Sequence, residues 1–205
     1  MADILRKLAT MKREVRSKGA FRMARIYADR LFIFTLSKIY KFPASWHPPT
    51  SMRQYRITVA GIVNALKPDV VCEVGCGLCS ILSRINSPHR YGYDIDAGVI
   101  RAARLLRSSA LELHEGDLSA VALNHIDVLI LVNWIHEVSP EDLENELSRL
   151  LPITRYLVLD AIDPDNTFGY RYKHDFSFLT SRVRRLSVTR HPGEGRSFQL
   201  FEVIR

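Results

Sequence analysis

From residue 69 onward, short apolar runs alternate with stretches of helical period. Val70-Val71-Cys72-Glu73-Val74, flanked by proline and glycine, reads as a strand buried on both faces. Leu78 to Ile85 has a helical pattern, and Tyr91-Gly92-Tyr93-Asp94-Ile95 is a second short strand. Asp96 caps a helix carrying Val99, Ile100, Ala103 and Leu106. Strands follow at Leu111 to His114, Val128 to Val132 and Tyr156 to Ala161. Before the last of these, Ser139-Pro140-Glu141-Asp142 supplies a cap, a first-turn proline and two acids suited to the helix dipole, with Leu143, Leu147 and Leu150 as the buried side. Arg185 to Thr189 and Phe198 to Ile204 form a closing antiparallel hairpin. The expected fold is α/β: a Rossmann-like, seven-stranded, mostly parallel sheet with helices on both faces and an antiparallel C-terminal hairpin.

The first 49 residues follow another rule. Ile4, Leu5, Leu8 and Met11 share one helical face, and Ala24, Tyr27, Leu31 and Phe34 continue a stripe, with Arg22, Arg25, Arg30 and Lys38 at other angles. One long helix, or two interrupted near Gly19, is expected. Phe42 to Thr50, rich in proline, cannot continue it and reads as a linker or lid. Thr50 or Ser51 then caps a helix that buries Val59, Ile62, Val63 and Leu66 and stops at Lys67-Pro68. Residues 1–49 are taken as a basic helical extension and 50–205 as the main domain.

Composition narrows the class. The 205 residues are 47% hydrophobic and 25% charged, which suits a globular chain and excludes wholesale disorder. No uncharged run approaches the ~18 apolar residues of a membrane span. No apolar block stands beside a small-residue cleavage site at the N-terminus, so a cytoplasmic setting is expected. The net charge of +7 is uneven: residues 1–60 hold 13 Lys and Arg against 3 Asp and Glu, and residues 61–205 hold 16 against 19. A cationic segment over residues 2–41 suits solvated helix faces, contact with anionic lipid at the inner membrane surface, or guidance of an anionic substrate, and less well a nucleic acid.

The chemistry concentrates after the first strand, where Gly75 and Gly77 permit close approach to the main chain, and Asp94 lies on the second strand about 20 residues on. Ser80 and Glu73 stand where a dinucleotide fingerprint wants glycines, so a nicotinamide enzyme fits poorly. Residues 69–205 resemble the class I S-adenosylmethionine-dependent methyltransferases: an acidic residue before G-x-G-x-G appears as Glu73, Gly75 and Gly77, with Cys79 in place of the third glycine. The resemblance implies S-adenosyl-L-methionine as cofactor. Glu73 and the Gly75–Gly77 backbone would face its methionine part, Asp94 its ribose, and Ile95 its adenine. Asp117 and Leu118 would lie at the adenine edge, and Asn133 beside the sulfonium.

Cys72, Cys76 and Cys79 have the C-x3-C-x2-C spacing of a radical enzyme's iron–sulfur loop. Cys72 falls inside a strand and Leu78 stands where that signature prefers an aromatic, so structural thiols are expected. His136 is the candidate catalytic base, with Trp134, Glu137, His174 and Asp175 as candidate substrate contacts. Asp160, Asp163 and Asp165 cluster at the end of the fifth strand, but Asn133 replaces the carboxylate that a magnesium site draws from the fourth, so no metal is expected. The acceptor tetrad of nucleic-acid amino-methyltransferases is missing, since Asn133-Trp134-Ile135-His136 stands in its place. The expected activity is methyl transfer to a hydroxyl or amine of a small molecule, saccharide or lipid-linked acceptor. The alternatives are an RNA methyltransferase gripping phosphate with its basic arm, and an inactive member of the fold that binds a nucleoside or a partner protein.

Overall fold

The computed structural model of the protein describes residues 19–107, 110–166, 169–191 and 195–204, and the spacing of Ile4, Leu5, Leu8 and Met11 lies outside them. The chain divides into two compact units, one ending at Gln54 and one spanning Tyr55–Arg205.

In the first unit, α1 runs unbroken over Ala20–Tyr40. Gly19 at φ 81° precedes it, and Lys41, left-handed at φ 60°, ends it with its N–H on the Ser37 carbonyl. Such a conformation favours glycine, so Gly19 marks the helix start. Its buried face is Met23, Ile26, Ile33, Leu36 and Ser37, and the Ser37 hydroxyl donates to the Phe34 carbonyl at 2.7 Å. The expected stripe of Ala24, Tyr27, Leu31 and Phe34 is instead exposed. This helix is apolar on two sides, and periodicity cannot say which one is covered. Beyond it, Pro43 and Pro48 bracket a single 3-10 turn, Ala44–Trp46.

The second unit opens with α2, Tyr55–Ala65, four residues later than the predicted cap at Thr50 or Ser51. Met52 and Arg53 donate to the carbonyls of Pro49 and Thr50 in a turn, which uses up the groups a cap would need. Val59 and Val63 are buried, Ile62 and Leu66 partly so, and Lys67 at φ 51° stops the chain before Pro68.

Among the described residues, seven strands form one sheet: β1 Val70–Val74, β2 His89–Asp94, β3 Leu111–Glu115, β4 Ile126–Leu131, β5 Thr154–Ile162, β6 Val183–His191 and β7 Arg196–Val203. Their order is β3-β2-β1-β4-β5-β7-β6. The first five are parallel, and β7 runs antiparallel between β5 and β6. Alternate residues feed two core layers. Val71, Ile130, Val158 and Phe198 pack with α2 and with α3, Ala97–Leu106. Leu129, Leu131 and Leu157 pack with α4, Pro140–Leu150, through Leu143, Leu147 and Leu150. Both predicted caps form: Asp96 accepts from Gly98 and Val99, and Ser139 from Asp142.

Leu78 to Ile85 departs from expectation, being a run of turns ending in a 3-10 turn at Leu82–Arg84 instead of an α-helix. Cys79 at φ 55° leaves the right-handed helical region, so the i to i−4 ladder cannot start from the glycine turn. The β3–β4 connection is also short, with one 3-10 turn at Leu118–Ala120. The sheet face beside it keeps a cleft of about 320 Å³ lined by Tyr91, Tyr93, His114 and Leu123 among others.

The central strands are pinned at their start by Asp127 on β4, whose Oδ2 accepts the N–H groups of Asp69 and Val70 at 2.9 Å each. Asp127→Ala leaves both donors without this partner, and urea unfolding should show a loss of about 1–3 kcal/mol. An unchanged midpoint would mean water replaces the carboxylate at no cost.

Candidate functional site

In a sheet of this order the crevice for a ligand opens beyond the carboxyl ends of β1 and β4, where the chain reverses direction across the sheet. Gly75 and Gly77 leave β1 at φ 72° and 54°. A Cβ on Gly75 would meet Trp134 Cδ1 at 2.2 Å, so glycine is required there by an indole as well as by the backbone. Trp134 Nε1 donates to the Val74 carbonyl at 2.6 Å, which fixes the ring against the turn.

Asp94, the last residue of β2, holds the turn from the other side. Its Oδ2 accepts from the Gly77 N–H at 2.8 Å and its Oδ1 from the Asp96 N–H at 3.0 Å. Main-chain bonds from Cys76 N–H to the Tyr93 carbonyl and from Gly116 N–H to the Asp94 carbonyl, both 2.9 Å, join β2 to the loops after β1 and β3. Each carboxylate oxygen keeps a second lone pair for a hydroxyl. Ile95 beside it is 71% exposed, an aliphatic surface open to a flat ring. Asp117 is exposed and accepts from the hydroxyl and N–H of Ser119, the hydroxyl bond first among the causes holding its carboxyl below the usual range, while Leu118 is buried.

Glu73 is buried beneath the glycine turn, with Oε2 accepting from the Leu82 N–H at 3.3 Å. Burial pushes its carboxyl from 4.5 up to about 8, against the opposing pull of the Arg56 charge, so it carries a proton at neutral pH.

The cysteines part company. Cys72 packs in the layer of Leu129 and Leu131, whereas Cys76 and Cys79 pack in the opposite layer, their sulfurs 3.6 Å apart. The bond to Cys79 and then burial hold the Cys76 thiol up, and burial does the same for Cys72. These are buried core thiols on two sides of a sheet, unsuited to one iron cluster.

A second polar group closes the far side of the crevice. Asp160 on β5 is fully buried; its Oδ1 accepts from the Asn133 N–H at 2.8 Å and its Oδ2 from Arg196 Nη1 at 2.9 Å. Arg196, at the start of β7, also donates to the Tyr170 hydroxyl and to Asn133 Oδ1 at 3.3 Å, and lies 5.0 Å over the ring of Tyr55. These bonds hold Asn133 at φ 80°, ψ −58°, a costly conformation for a residue with a side chain.

His136, expected on the rim as a base, is instead wholly buried. Its Nδ1 faces the Tyr172 carbonyl at 3.2 Å, and its Nε2 is 3.2 Å from Asp160 Oδ1 without the alignment of a hydrogen bond. The 3-10 turn Trp134–Glu137 turns this side chain inward and leaves Glu137 exposed. His174 is buried as well, with Nε2 on the Ile135 carbonyl at 2.9 Å, and burial lowers its pKa. Asp175 is exposed and accepts from the Ser177 N–H, so it serves a turn. Asp160 is thus committed to Arg196 and Asn133, and no three potential metal ligands converge among the described residues.

Sequence reasoning missed Arg196 and Tyr55. The available signal was a charged residue two before Phe198, at the parity of β7 that faces the core.

No protein-family model matches the chain, and no curated protein does. Solved structures do. A magnesium protoporphyrin IX methyltransferase from Synechocystis PCC 6803, solved with bound S-adenosylhomocysteine, matches 96% of this chain and 99% of its own at 18% identity and a TM-score of 0.60. TehB from Haemophilus influenzae matches 71% of this chain and 61% of its own at 12% identity and 0.56. The bifunctional kinase-methyltransferase WbdD matches 75% of this chain and 39% of its own at 18% identity and 0.55. This is the class I S-adenosylmethionine-dependent methyltransferase fold. Within the methyltransferase fold, β7 sits between β5 and β6, and the glycine turn leaves the central β1.

Two outcomes check this geometry. Glu73 binds its proton more tightly folded than unfolded, so the stability it contributes is whole below pH 4.5 and fades as pH rises through about 8. Wild type should lose on the order of 5 kcal/mol across that window, and Glu73→Gln should flatten the loss in denaturant titrations; parallel curves would show an ionised Glu73. Arg196→Met leaves Asp160 buried without its cation and should cost about 3–5 kcal/mol in the same measurement.

Proposed function

We propose that the chain binds S-adenosyl-L-methionine at the β1–β2 corner and transfers its methyl group to a hydroxyl or amine of a small-molecule, saccharide or lipid-linked acceptor. The observation that carries this reading is the bond from the Gly77 N–H to Asp94: it presets the glycine turn and the end of β2 as one surface. The residues present fit the cofactor. Asp94 offers lone pairs to vicinal ribose hydroxyls, Ile95 an apolar face for adenine, and Asp117 an acceptor for an exocyclic amine. The Gly75–Gly77 backbone receives the methionine part, with protonated Glu73 beneath supporting the turn rather than meeting the ligand as an anion.

The bound cofactor supplies an electrophilic methyl group on a sulfonium. The chain's own work is then to hold the acceptor in line and keep water out. Trp134, fixed on Gly75, forms the wall between cofactor and acceptor, and exposed Glu137 is placed to meet a polar acceptor. His136 acts as a positioning residue: from its buried place it braces Asp160, which in turn sets Asn133 beside the reacting centre. His174 supports the same turn through Ile135, and Asp175 shapes the loop that follows. The fold likeness to a magnesium protoporphyrin IX methyltransferase supports a small-molecule acceptor.

Isothermal titration with S-adenosylhomocysteine tests the reading. Wild type should bind at micromolar level, and Asp94→Ala should weaken binding about 10- to 100-fold, the loss of two charge-assisted hydrogen bonds. Ile95→Asp, on an exposed side chain that does not bear on the fold, should weaken it as well. Equal affinity in all three proteins would remove this corner from cofactor binding.

A further inference from the structure

Helix α1 presents two apolar faces, and just one of them is covered. Met23, Ile26, Ile33 and Leu36 are buried. Phe21, Leu31, Phe34 and Ile39 are 86%, 67%, 52% and 64% exposed, and Tyr27 and Phe32 are about as open. At about 100° per residue these six positions fall together on an arc of roughly 160°, opposite the buried side and joined by the small Ala24, Ala28 and Thr35. Cations border this arc: Arg25 along one margin, Arg30 and Lys41 along the other, with Lys38 inside it, its ammonium 5.2 Å from the ring of Phe34. Asp29 is the one acid in the helix. A monomeric surface seldom leaves so many large apolar side chains contiguous and bare.

The charge decides the occupant. A long apolar face bordered by lysine and arginine is the form of a helix that lies in a lipid interface, apolar residues among the acyl chains and cations at anionic headgroups. The exposed Trp46, in the turn after the helix, is a residue type that favours that depth. No described helix is long and apolar enough to cross a membrane, so the contact is one of lying on a bilayer. We infer that the exposed face of α1, built on Phe21, Tyr27, Leu31, Phe32, Phe34 and Ile39, docks the protein on an anionic lipid bilayer. This inference stands apart from the methyltransferase reading, since it uses no residue of the glycine turn or of the Asp160 cluster.

The test is co-sedimentation of the full chain with phosphatidylcholine vesicles, with and without phosphatidylglycerol. Binding should need the anionic lipid and fall steeply as salt rises. Leu31→Ser with Phe34→Ser should lower partitioning about tenfold or more. Arg25→Gln with Arg30→Gln should lower it about fivefold at low salt. Both double variants replace exposed side chains and should keep wild-type affinity for S-adenosylhomocysteine, so loss of vesicle binding is read apart from loss of the cofactor site. Equal pelleting with and without phosphatidylglycerol, or no effect of the apolar pair, would overturn the inference. So would a lipid-free, concentration-dependent dimer in analytical ultracentrifugation that the apolar pair abolishes, because the face would then belong to a second copy of the chain.

Discussion

The Asp94 carboxylate accepts the N–H of Gly77 and of Asp96, while the carbonyls of Tyr93 and Asp94 accept from Cys76 and Gly116. Four hydrogen bonds thus fasten three loops to the end of one strand. Gly75, Gly77 and Gly116 in these loops have positive φ, and a side chain on Gly75 would run into Trp134. The corner is therefore set before any ligand arrives, which lowers the ordering cost that binding would otherwise carry. Glu73 sits below the same turn as a buried acid that keeps its proton, because solvation is lost there and the Arg56 charge only partly compensates.

Across the crevice a different device does comparable work. Asp160 and Arg196 are a buried ion pair of opposite strands, each satisfied further by Asn133, and Arg196 also by Tyr170 and the ring of Tyr55. A buried pair is weak evidence for stability, since desolvation offsets much of its attraction, but removing one partner is costly. Its position suits specificity: it fixes Asn133 in a strained conformation at the carboxyl end of β4, the place where a ligand would meet the sheet. His136 belongs to this device as a buried neighbour of Asp160, while Trp134 is half-buried and the Glu137 carboxylate faces outward.

Much of this was legible in the chain. Strand and helix period gave the alternating architecture, since residues buried on both sides of a parallel sheet must be apolar in runs, and caps such as Asp96 and Ser139 act within three residues of themselves. The glycine turn and Asp94 were readable for the same reason: positive φ demands particular residues, and a strand end is a local feature. The segment after the turn was misread because Leu78, Ile81, Leu82 and Ile85 carry helical spacing, while the left-handed Cys79 prevents the ladder from forming.

What the sequence determined by itself, then, is whatever depends on neighbours a few residues apart: elements, caps, the turn and the charge contrast between residues 1–60 and the remainder. Tertiary structure decided which side of an element is covered. It sent Cys72 to the opposite core layer from Cys76 and Cys79, buried His136 where spacing had put it at a rim, and left the Leu31 and Phe34 face of α1 open. It also brought Arg196 to Asp160, 36 positions apart in the chain. Burial and long-range pairing are set by packing against distant segments, and that information is carried by no single stretch of residues.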